Sequence, residues 1–199
     1  MPPCPIWPPL VAMIKLQLLC GCRPGEICQL RPCDIDSSRD PWCFTPTQHK
    51  TAHHGHDRRI YFGPQAQEIL QPFLDRPADA YCFSPAEAQA ERNAAKRAAR
   101  KPPMTPSQAS RRPLPPPKRT PGVKYNKVSF ARAVSRAVKA AGVPSWSPNQ
   151  LRHAAATKLR AEFGIEASRL VLGHRDAGVT QVYAERDFEG ASKIMQKVG

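Results

Sequence analysis

Apolar residues recur at helical spacing along the first part of the chain. Their spacing predicts a first helix over residues 10–22. Pro24 falls in the first turn of the next helix and places Arg23 at its start, because proline is tolerated where no backbone N–H is needed. Residues 26–33 repeat the apolar spacing, so we expect a further helix there, which Pro32 and Asp34 bring to an end.

Two short apolar stretches then predict a β-hairpin. Residues 42–47 and 59–63 flank a polar turn at residues 50–57, an arrangement typical of antiparallel strands. Lys50 lies where the first strand enters this turn. After the hairpin, residues 65–74 predict a helix with its apolar side chains directed inward.

The second half of the chain predicts two longer helices. Residues 129–141 place three apolar side chains on one helix face, namely Phe130, Val134 and Val138. Pro148 then precedes a helix that carries Asn149 and Arg152 on one face. Gly173 is a turn glycine that predicts the end of this helical segment.

Together these elements predict one α+β domain over residues 1–199, predominantly helical with a small antiparallel β-sheet. The length fits a single domain of ordinary size. No apolar run approaches the roughly 20 residues that a membrane-spanning helix needs. The start of the chain also lacks the features of a signal peptide. We therefore expect a cytoplasmic protein without a membrane partner.

Charge is concentrated in one segment of the chain. The sequence has 30 Lys and Arg against 16 Asp and Glu, a net charge of +14, which favours a polyanionic partner such as DNA, RNA or an acidic membrane surface. Residues 92–127 hold 11 of the basic residues and no acidic one, and eight prolines interrupt regular structure through the middle of this segment. This pattern predicts a flexible, basic, Pro-rich insertion after a short Ala-rich helix. The insertion is either a solvated linker or an arm that tracks DNA, and its DNA-binding candidates are Arg111, Arg112, Lys118 and Arg119.

The seven cysteines do not indicate a metal site. They form an odd set without paired C-x-x-C spacing, which argues against both a disulfide framework and a zinc ribbon. Most are expected to be small buried hydrophobes. A metal site that combines some of them with the histidines between residues 49 and 56 is a weaker hypothesis. We expect neither a metal nor a cofactor.

The residues best suited to carry out chemistry lie close together late in the sequence. Arg152 offers a planar fork of donors that suits two phosphate oxygens. His174 can hold or pass a proton, and Tyr183 brings a hydroxyl that can attack phosphorus. This combination favours phosphate chemistry.

Several motifs occur in an informative order. Residues 20–26 form Cys-Gly-x-Arg-x-x-Glu, and Leu30 with Asp34-Ile35 follows. Leu-Arg-His at residues 151–153, Leu-Gly-His at residues 172–174 and a late tyrosine come afterwards. Over most of residues 15–186, this series resembles the tyrosine recombinase (phage integrase) family.

The resemblance implies a mechanism for DNA cleavage. Arg23 and Arg152 would hold the non-bridging oxygens of the scissile phosphate while Tyr183 attacks phosphorus, giving a covalent 3′-phosphotyrosine and a free 5′ hydroxyl. Lys50 matches the hairpin lysine that protonates the leaving oxygen, and His174 would hold the phosphate or position the tyrosine. The scheme needs neither ATP nor a metal.

The neighbouring positions suggest supporting roles. Asn149 stands where many members carry a histidine; its amide can donate to a phosphate oxygen but cannot exchange a proton near neutral pH. Glu26, one turn after Arg23, is expected to hold that arginine. We interpret His153 as a buried, hydrogen-bonded residue. Three other tyrosines are explained better by packing, and these are Tyr61, Tyr81 and Tyr125.

The resemblance also implies partners. Family members carry a core-binding domain before the Arg23 motif, and we expect it to be absent from this chain. The expected partners are double-stranded DNA, further copies of the chain in a tetramer on DNA, and a separate core-binding domain or protein. Three functions compete: an active site-specific recombinase or integrase, a DNA-binding remnant without catalysis, and a relaxing activity like that of type IB topoisomerases.

Overall fold

The computed structural model describes residues 8–48, 58–100, 105–111 and 120–173. Within these ranges it contains seven α-helices, two short 3₁₀-helices and three strands. The helices are α1 (Pro8–Cys20), α2 (Pro24–Ile27), α3 (Pro64–Leu70), α4 (Pro85–Ala98), α5 (Pro106–Ala109), α6 (Lys127–Ala141) and α7 (Pro148–Leu172). The strands are β1 (Ile35–Asp36), β2 (Trp42–Phe44) and β3 (Ile60–Phe62). The predicted α+β class, predominantly helical with a small sheet, is confirmed.

Prolines begin most of these helices. Six of the seven described α-helices start at a proline. The first residue of a helix has no intrahelical partner for its N–H, and the fixed φ of proline already matches the helix. The high proline content therefore sets helix boundaries in this chain instead of preventing helices.

The sheet is antiparallel and has the strand order β1-β2-β3. In the hairpin, Trp42 pairs with Phe62 and Phe44 pairs with Ile60. The rings of Phe44 and Phe62 stack with centroids 6.2 Å apart on the buried face. The predicted hairpin is confirmed with shorter strands, and its turn, which includes Lys50, lies outside the described residues.

Helix α1 lies at the centre of the core and packs against both α3 and α7. Met13 and Leu16 on α1 are completely buried. Gln17, also buried, donates from Nε2 to the carbonyl oxygen of Pro148 at 2.8 Å, which fixes α1 to the start of α7. This contact brings the segment after α1, where Arg23 lies, close to the helix that carries Arg152.

The helix predicted over residues 26–33 is wrong in extent. α2 ends at Ile27, and a separate 3₁₀-helix covers Pro32–Asp34. Proline disfavours helical geometry in the residue before it, and Arg31 accordingly has extended backbone angles (φ −132°, ψ 151°). Apolar spacing continues through this stretch because Leu30 is buried in the core although it lies outside any helix, after the turn at residues 28–29.

The basic segment contains more regular structure than its prolines suggested. The predicted short Ala-rich helix is confirmed as α4, which includes residues 92–98. The unexpected element is α5, which forms one helical turn inside the region where regular structure was not expected. The turn is possible because Pro106 occupies the first helical position. Arg111 is exposed, whereas Arg112, Lys118 and Arg119 lie outside the described residues.

The remaining helix predictions are confirmed. α6 buries the three predicted apolar residues, Phe130, Val134 and Val138. The segment predicted at residues 65–74 forms α3 followed by a 3₁₀ turn over Gln71–Phe73. Gly173 ends α7 in a left-handed conformation (φ 65°), although Gly164 (φ 83°) also breaks the helix earlier. Within the described ranges, no helix combines the length and apolar character needed to cross a membrane.

Candidate active site

A cavity of about 520 Å³ opens where α2, α6 and α7 meet. Arg23 and Arg152, which are far apart in the chain, both line it, and so do Asn149 and His153. Two guanidinium groups, an amide and an imidazole therefore border a single space large enough for a phosphate and its neighbouring atoms. The sequence placed these four side chains in related motifs, and the fold brings them together.

Arg23 is held by Glu26 in two ways. Its backbone N–H donates to Oε2 of Glu26 at 2.7 Å, and its Nη1 donates to Oε1 at 2.9 Å. Both contacts arise because residue 23 precedes the first turn of α2 and residue 26 lies within that turn. The expected contact between these two side chains is present, and it fixes the direction of the Arg23 guanidinium.

Arg152 is almost completely buried, with 4% of its surface exposed. Its Nη1 donates to the carbonyl oxygen of Gly21 at 2.6 Å, and its Nη2 donates to that of Leu172 at 2.8 Å. Burial, and then repulsion from Arg23, lowers the pKa of Arg152 to about 10. This pKa is still well above neutral pH, so the side chain remains a cation in the cavity wall.

Glu26 also lines the cavity, and it forms a buried ion pair with Arg58, which lies behind the cavity wall. Arg58 Nε lies 3.4 Å from Oε1 of Glu26, and the two side chains are 5% and 2% exposed. Burial raises the pKa of the Glu26 carboxyl, but Arg58 and Arg23 outweigh this effect and leave the pKa below its ordinary value. Glu26 is therefore an anion shared by two arginines.

Arg58 is a residue that sequence reasoning missed. It lies two residues before Ile60 and four before Phe62, and all three side chains are buried, whereas Arg59 and Tyr61 are exposed. The period-2 alternation of a strand thus places Arg58 on the inner face. That alternation was visible in the sequence, but a charged residue is not expected on a buried face without a known partner.

The structure corrects the interpretation of His153 in one respect, its burial. This side chain is only half-buried and lines the cavity. The cavity wall is wide enough to include adjacent helix positions, which differ by about 100° in direction. Asn149, which is exposed, lies one turn earlier on the same helix.

Lys127 and Gln48 also line the cavity and were not predicted as site residues. Lys127 is the first residue of α6, directly after the capping residue Asn126. The side chain of Gln29 pairs with the backbone of Gln48, since Nε2 donates to the carbonyl oxygen at 2.9 Å and Oε1 accepts from the N–H at 3.2 Å. These contacts hold Gln48, which lies two residues before Lys50, at the edge of the cavity.

Three of the predicted catalytic residues, Lys50, His174 and Tyr183, lie outside the described residues. None of the described tyrosines lines the cavity. Tyr125 is buried in the core, and Tyr81 lies beneath Lys124, whose Nζ is 4.9 Å from the ring centroid. Packing accounts for these two tyrosines, as expected.

The described cysteines behave mainly as buried apolar residues. Burial raises the pKa of the Cys20 and Cys28 thiols to about 12, and that of Cys22 also lies well above its ordinary value, chiefly because of burial. These thiols are protonated near neutral pH. No group of three or more His, Cys, Asp and Glu in the described part of the chain is arranged to hold a metal ion. The histidines at residues 49–56 are outside that part.

Gly173→Ala is expected to destabilise the protein more than Gly142→Ala does. Both glycines end a helix with positive φ, at 65° and 68°, so a Cβ costs about 1–2 kcal/mol of backbone strain at either position. At Gly173 the added Cβ would also lie 2.6 Å from Nη1 of Arg58, whereas nothing lies within 4 Å at Gly142. Urea unfolding of the two variants measures the difference. Equal losses would mean that Arg58 does not pack against this turn.

Comparison with known proteins identifies the family. The profile of the phage integrase family matches residues 8–189. The chain therefore belongs to the phage integrase family, that is, to the tyrosine recombinases, whose members cleave DNA. No curated protein sequence matches the chain.

Solved structures of tyrosine recombinases share the fold. XerA recombinase is 18% identical with a TM-score of 0.57, and the match covers 95% of this chain and 62% of that one. The Tn1549 transposon integrase in complex with circular intermediate DNA is 16% identical (TM-score 0.58; 94% and 59% covered). A λ integrase dimer bound to a core site is also 16% identical (TM-score 0.55; 90% and 53% covered). The chain thus spans between 53% and 62% of the length of these structures.

Proposed function

We propose that this chain cleaves and rejoins DNA strands in site-specific recombination through a covalent 3′-phosphotyrosine formed on Tyr183. The main observation in support of the proposal is that Arg23 and Arg152 line the same cavity. A phosphodiester resists attack because its oxygens are negative and its alkoxide leaves poorly. Two guanidinium groups that line the same cavity can neutralise the negative oxygens and so lower the first of these barriers.

The charges around the cavity favour an anionic ligand. Within the described part of the chain, Arg23, Arg58 and Arg152 lie around the carboxylate of Glu26 in a largely buried environment. Several cations gathered around one carboxylate favour the binding of a further anion. A phosphate with two non-bridging oxygens is such an anion and accepts hydrogen bonds from both forks.

The chemical step is proposed as follows. The phenolic oxygen of Tyr183 gives up its proton to water and forms a bond to phosphorus as the bond to the 5′ oxygen breaks, and Lys50 donates a proton to that oxygen. His174, directly after Gly173 in the sequence, and Asn149 would donate to the phosphate. Attack by an incoming 5′ hydroxyl reverses the step and releases Tyr183. The energy of the diester is conserved in the phosphotyrosine, so no ATP is consumed.

Double-stranded DNA is the proposed partner, together with further copies of this chain. The similar Tn1549 integrase is described in complex with DNA, and λ integrase as a dimer on a core site. By that likeness, we propose assembly on DNA up to a tetramer. Because this chain spans under two thirds of these structures, we further propose that a core-binding domain or a separate protein contributes to DNA binding.

Covalent trapping tests the proposal. The protein is incubated with a pool of nicked duplexes of randomised sequence, in which the small fragment released by cleavage diffuses away. An adduct that survives SDS and migrates with the DNA is the expected result. A gel shift without an adduct supports a DNA-binding remnant instead. Relaxation of supercoiled plasmid regardless of sequence supports the topoisomerase-like alternative.

Lys127→Met is expected to weaken DNA binding modestly and without sequence preference. Lys127 lines the cavity at the start of α6, where its charge can contact a phosphate. Loss of one phosphate contact lowers the slope of log K against log salt by about 0.9. Fluorescence anisotropy with a labelled duplex at several salt concentrations measures the slope. Lys139→Met, an exposed position near the other end of α6, is the matched control and should leave the slope unchanged. Equal salt-dependence slopes for Lys127→Met and Lys139→Met would exclude a contact between Lys127 and a phosphate.

A further inference from the structure

Arg58 connects parts of the molecule that meet behind the cavity. Its Nε lies 3.4 Å from Oε1 of Glu26 on α2, and its Nη1 donates to the carbonyl oxygen of Val171 at 3.1 Å near the end of α7. The guanidinium is 5% exposed and does not line the cavity. A buried arginine that joins two elements in this way is costly unless it is needed there.

We propose that Arg58 is a positioning residue of the cavity. It fixes the position of Glu26, and through Glu26 that of Arg23, relative to the end of α7. Arg152 is hydrogen-bonded to the same end of α7. The inference rests on the proposed function, because it concerns the same phosphate-binding groups. Arg58 acts through other residues and does not itself contact DNA.

Two carbonyl contacts support this role. Arg58 donates to Val171 and Arg152 donates to Leu172, so two guanidinium groups bind consecutive carbonyls at the end of α7. These are orphan carbonyls with the negative end of the helix dipole, which favours cations. Arg58 therefore links Glu26 to the same short stretch of backbone, at the end of α7, to which Arg152 is hydrogen-bonded.

The shape of the turn also fits an arginine. At Gly173, a Cβ would lie 2.6 Å from Nη1 and 3.3 Å from Cζ of Arg58, so the guanidinium lies directly against the glycine backbone. Lysine has a single charged point on a flexible stem and cannot reach the Glu26 carboxylate and the Val171 carbonyl with one rigid fork. Arg58→Lys should therefore retain the charge but lose part of the positioning.

The Glu26 carboxyl provides a measurable readout. The groups that face it are Arg23 on its own segment, Arg58, Arg152 and the Cys22 thiol. Burial raises the Glu26 pKa, and Arg58 is the strongest opposing influence. Without Arg58 the carboxyl should take up a proton at higher pH, and Arg23 would lose its anionic partner there. The acid side of the cleavage pH profile should then move to higher pH.

The experiment compares Arg58→Met with Arg59→Met, which removes the same charge from the adjacent, exposed position. NMR titration of ¹³C-labelled Glu26 is the first measurement, and it does not depend on catalysis. We expect Arg58→Met to raise the Glu26 pKa, Arg59→Met to leave it unchanged, and Arg58→Lys to stay near the wild-type value. An unchanged Glu26 titration in Arg58→Met overturns the proposal.

Single-turnover cleavage is the second measurement. Arg58→Met should cleave nicked duplex about 10–100-fold more slowly than the wild type at saturating DNA, a magnitude usual for residues that orient a site. Its affinity for duplex should change much less than its cleavage rate, because Arg58 does not contact DNA, and Arg58→Lys should recover part of the rate. Wild-type rates in Arg58→Met contradict the positioning role. If the wild type itself forms no adduct, the proposed function fails, while the Glu26 titration still decides the role of Arg58. If Arg58→Met does not fold, the cleavage rate of Arg58→Lys tests the proposal, and a wild-type rate in that variant overturns it.

Discussion

Replacement of Arg152 by methionine is expected to remove strand cleavage almost completely and to destabilise the fold. The guanidinium is proposed to neutralise the scissile phosphate, and loss of one such preorganised donor lowers the rate by about 10²–10³-fold. Methionine cannot donate a hydrogen bond. Cleavage of nicked duplex by Arg152→Met should therefore fall by at least this factor at saturating DNA.

The loss of stability has a separate cause. Arg152 supplies hydrogen bonds to the carbonyl oxygens of Gly21 and Leu172. A buried acceptor left without a donor costs about 1–3 kcal/mol. Relief of repulsion between Arg152 and Arg23 offsets part of this loss. Urea unfolding should therefore report a net destabilisation of about 1–3 kcal/mol.

Lys158→Met is the matched control for this variant. Lys158 is exposed on the same helix and lies 3.9 Å from Glu162, a surface ion pair that contributes little to stability. Its cleavage rate and unfolding free energy should resemble those of the wild type. An Arg152→Met protein that is folded and cleaves at the wild-type rate would exclude Arg152 from the chemistry.

Tyr183→Phe is expected to abolish the covalent adduct and to leave DNA binding unchanged. The substitution removes one oxygen atom, the proposed nucleophile, and phenylalanine offers no substitute that can attack phosphorus. Adduct formation is measured on SDS gels, and duplex affinity by anisotropy. The predicted pattern is complete loss in the first assay with equal affinity in the second.

Tyr61→Phe provides the comparison for the nucleophile. Tyr61 is 50% exposed on β3 and does not line the cavity, so its hydroxyl should be dispensable. Adduct formation by Tyr61→Phe at the wild-type level would support this assignment. Persistence of the adduct in Tyr183→Phe would show that another residue attacks phosphorus.

Local patterns in the sequence predicted the helices and the hairpin well. Pro24 placed Arg23 at a helix start. The three-residue spacing of Arg23 and Glu26 predicted their contact. Apolar spacing located α1 and α6. These features depend on residues within one or two turns of each other, which is the range over which helix geometry determines contacts.

Features that depend on distant contacts were harder to predict. The buried position of Arg58 follows from Glu26 and Val171, which lie in other segments of the chain. The position of His153 on the cavity depends on residues of other segments, since the same cavity is lined by Arg23 and Lys127. The helix predicted at residues 26–33 failed because apolar spacing alone does not distinguish a helix from a buried turn, and Pro32 excluded the helix there.

The central claim is that Arg23 and Arg152 bind one phosphate. A crystal structure of the Tyr183→Phe protein with nicked duplex DNA tests it most directly. The account predicts that both guanidinium groups lie within about 2.7–2.9 Å of the two non-bridging oxygens of a single phosphate at the nick, with Arg23 still bonded to Glu26. A structure in which the two arginines contact different phosphates, or in which the cavity holds no phosphate while DNA is bound elsewhere, would contradict the account.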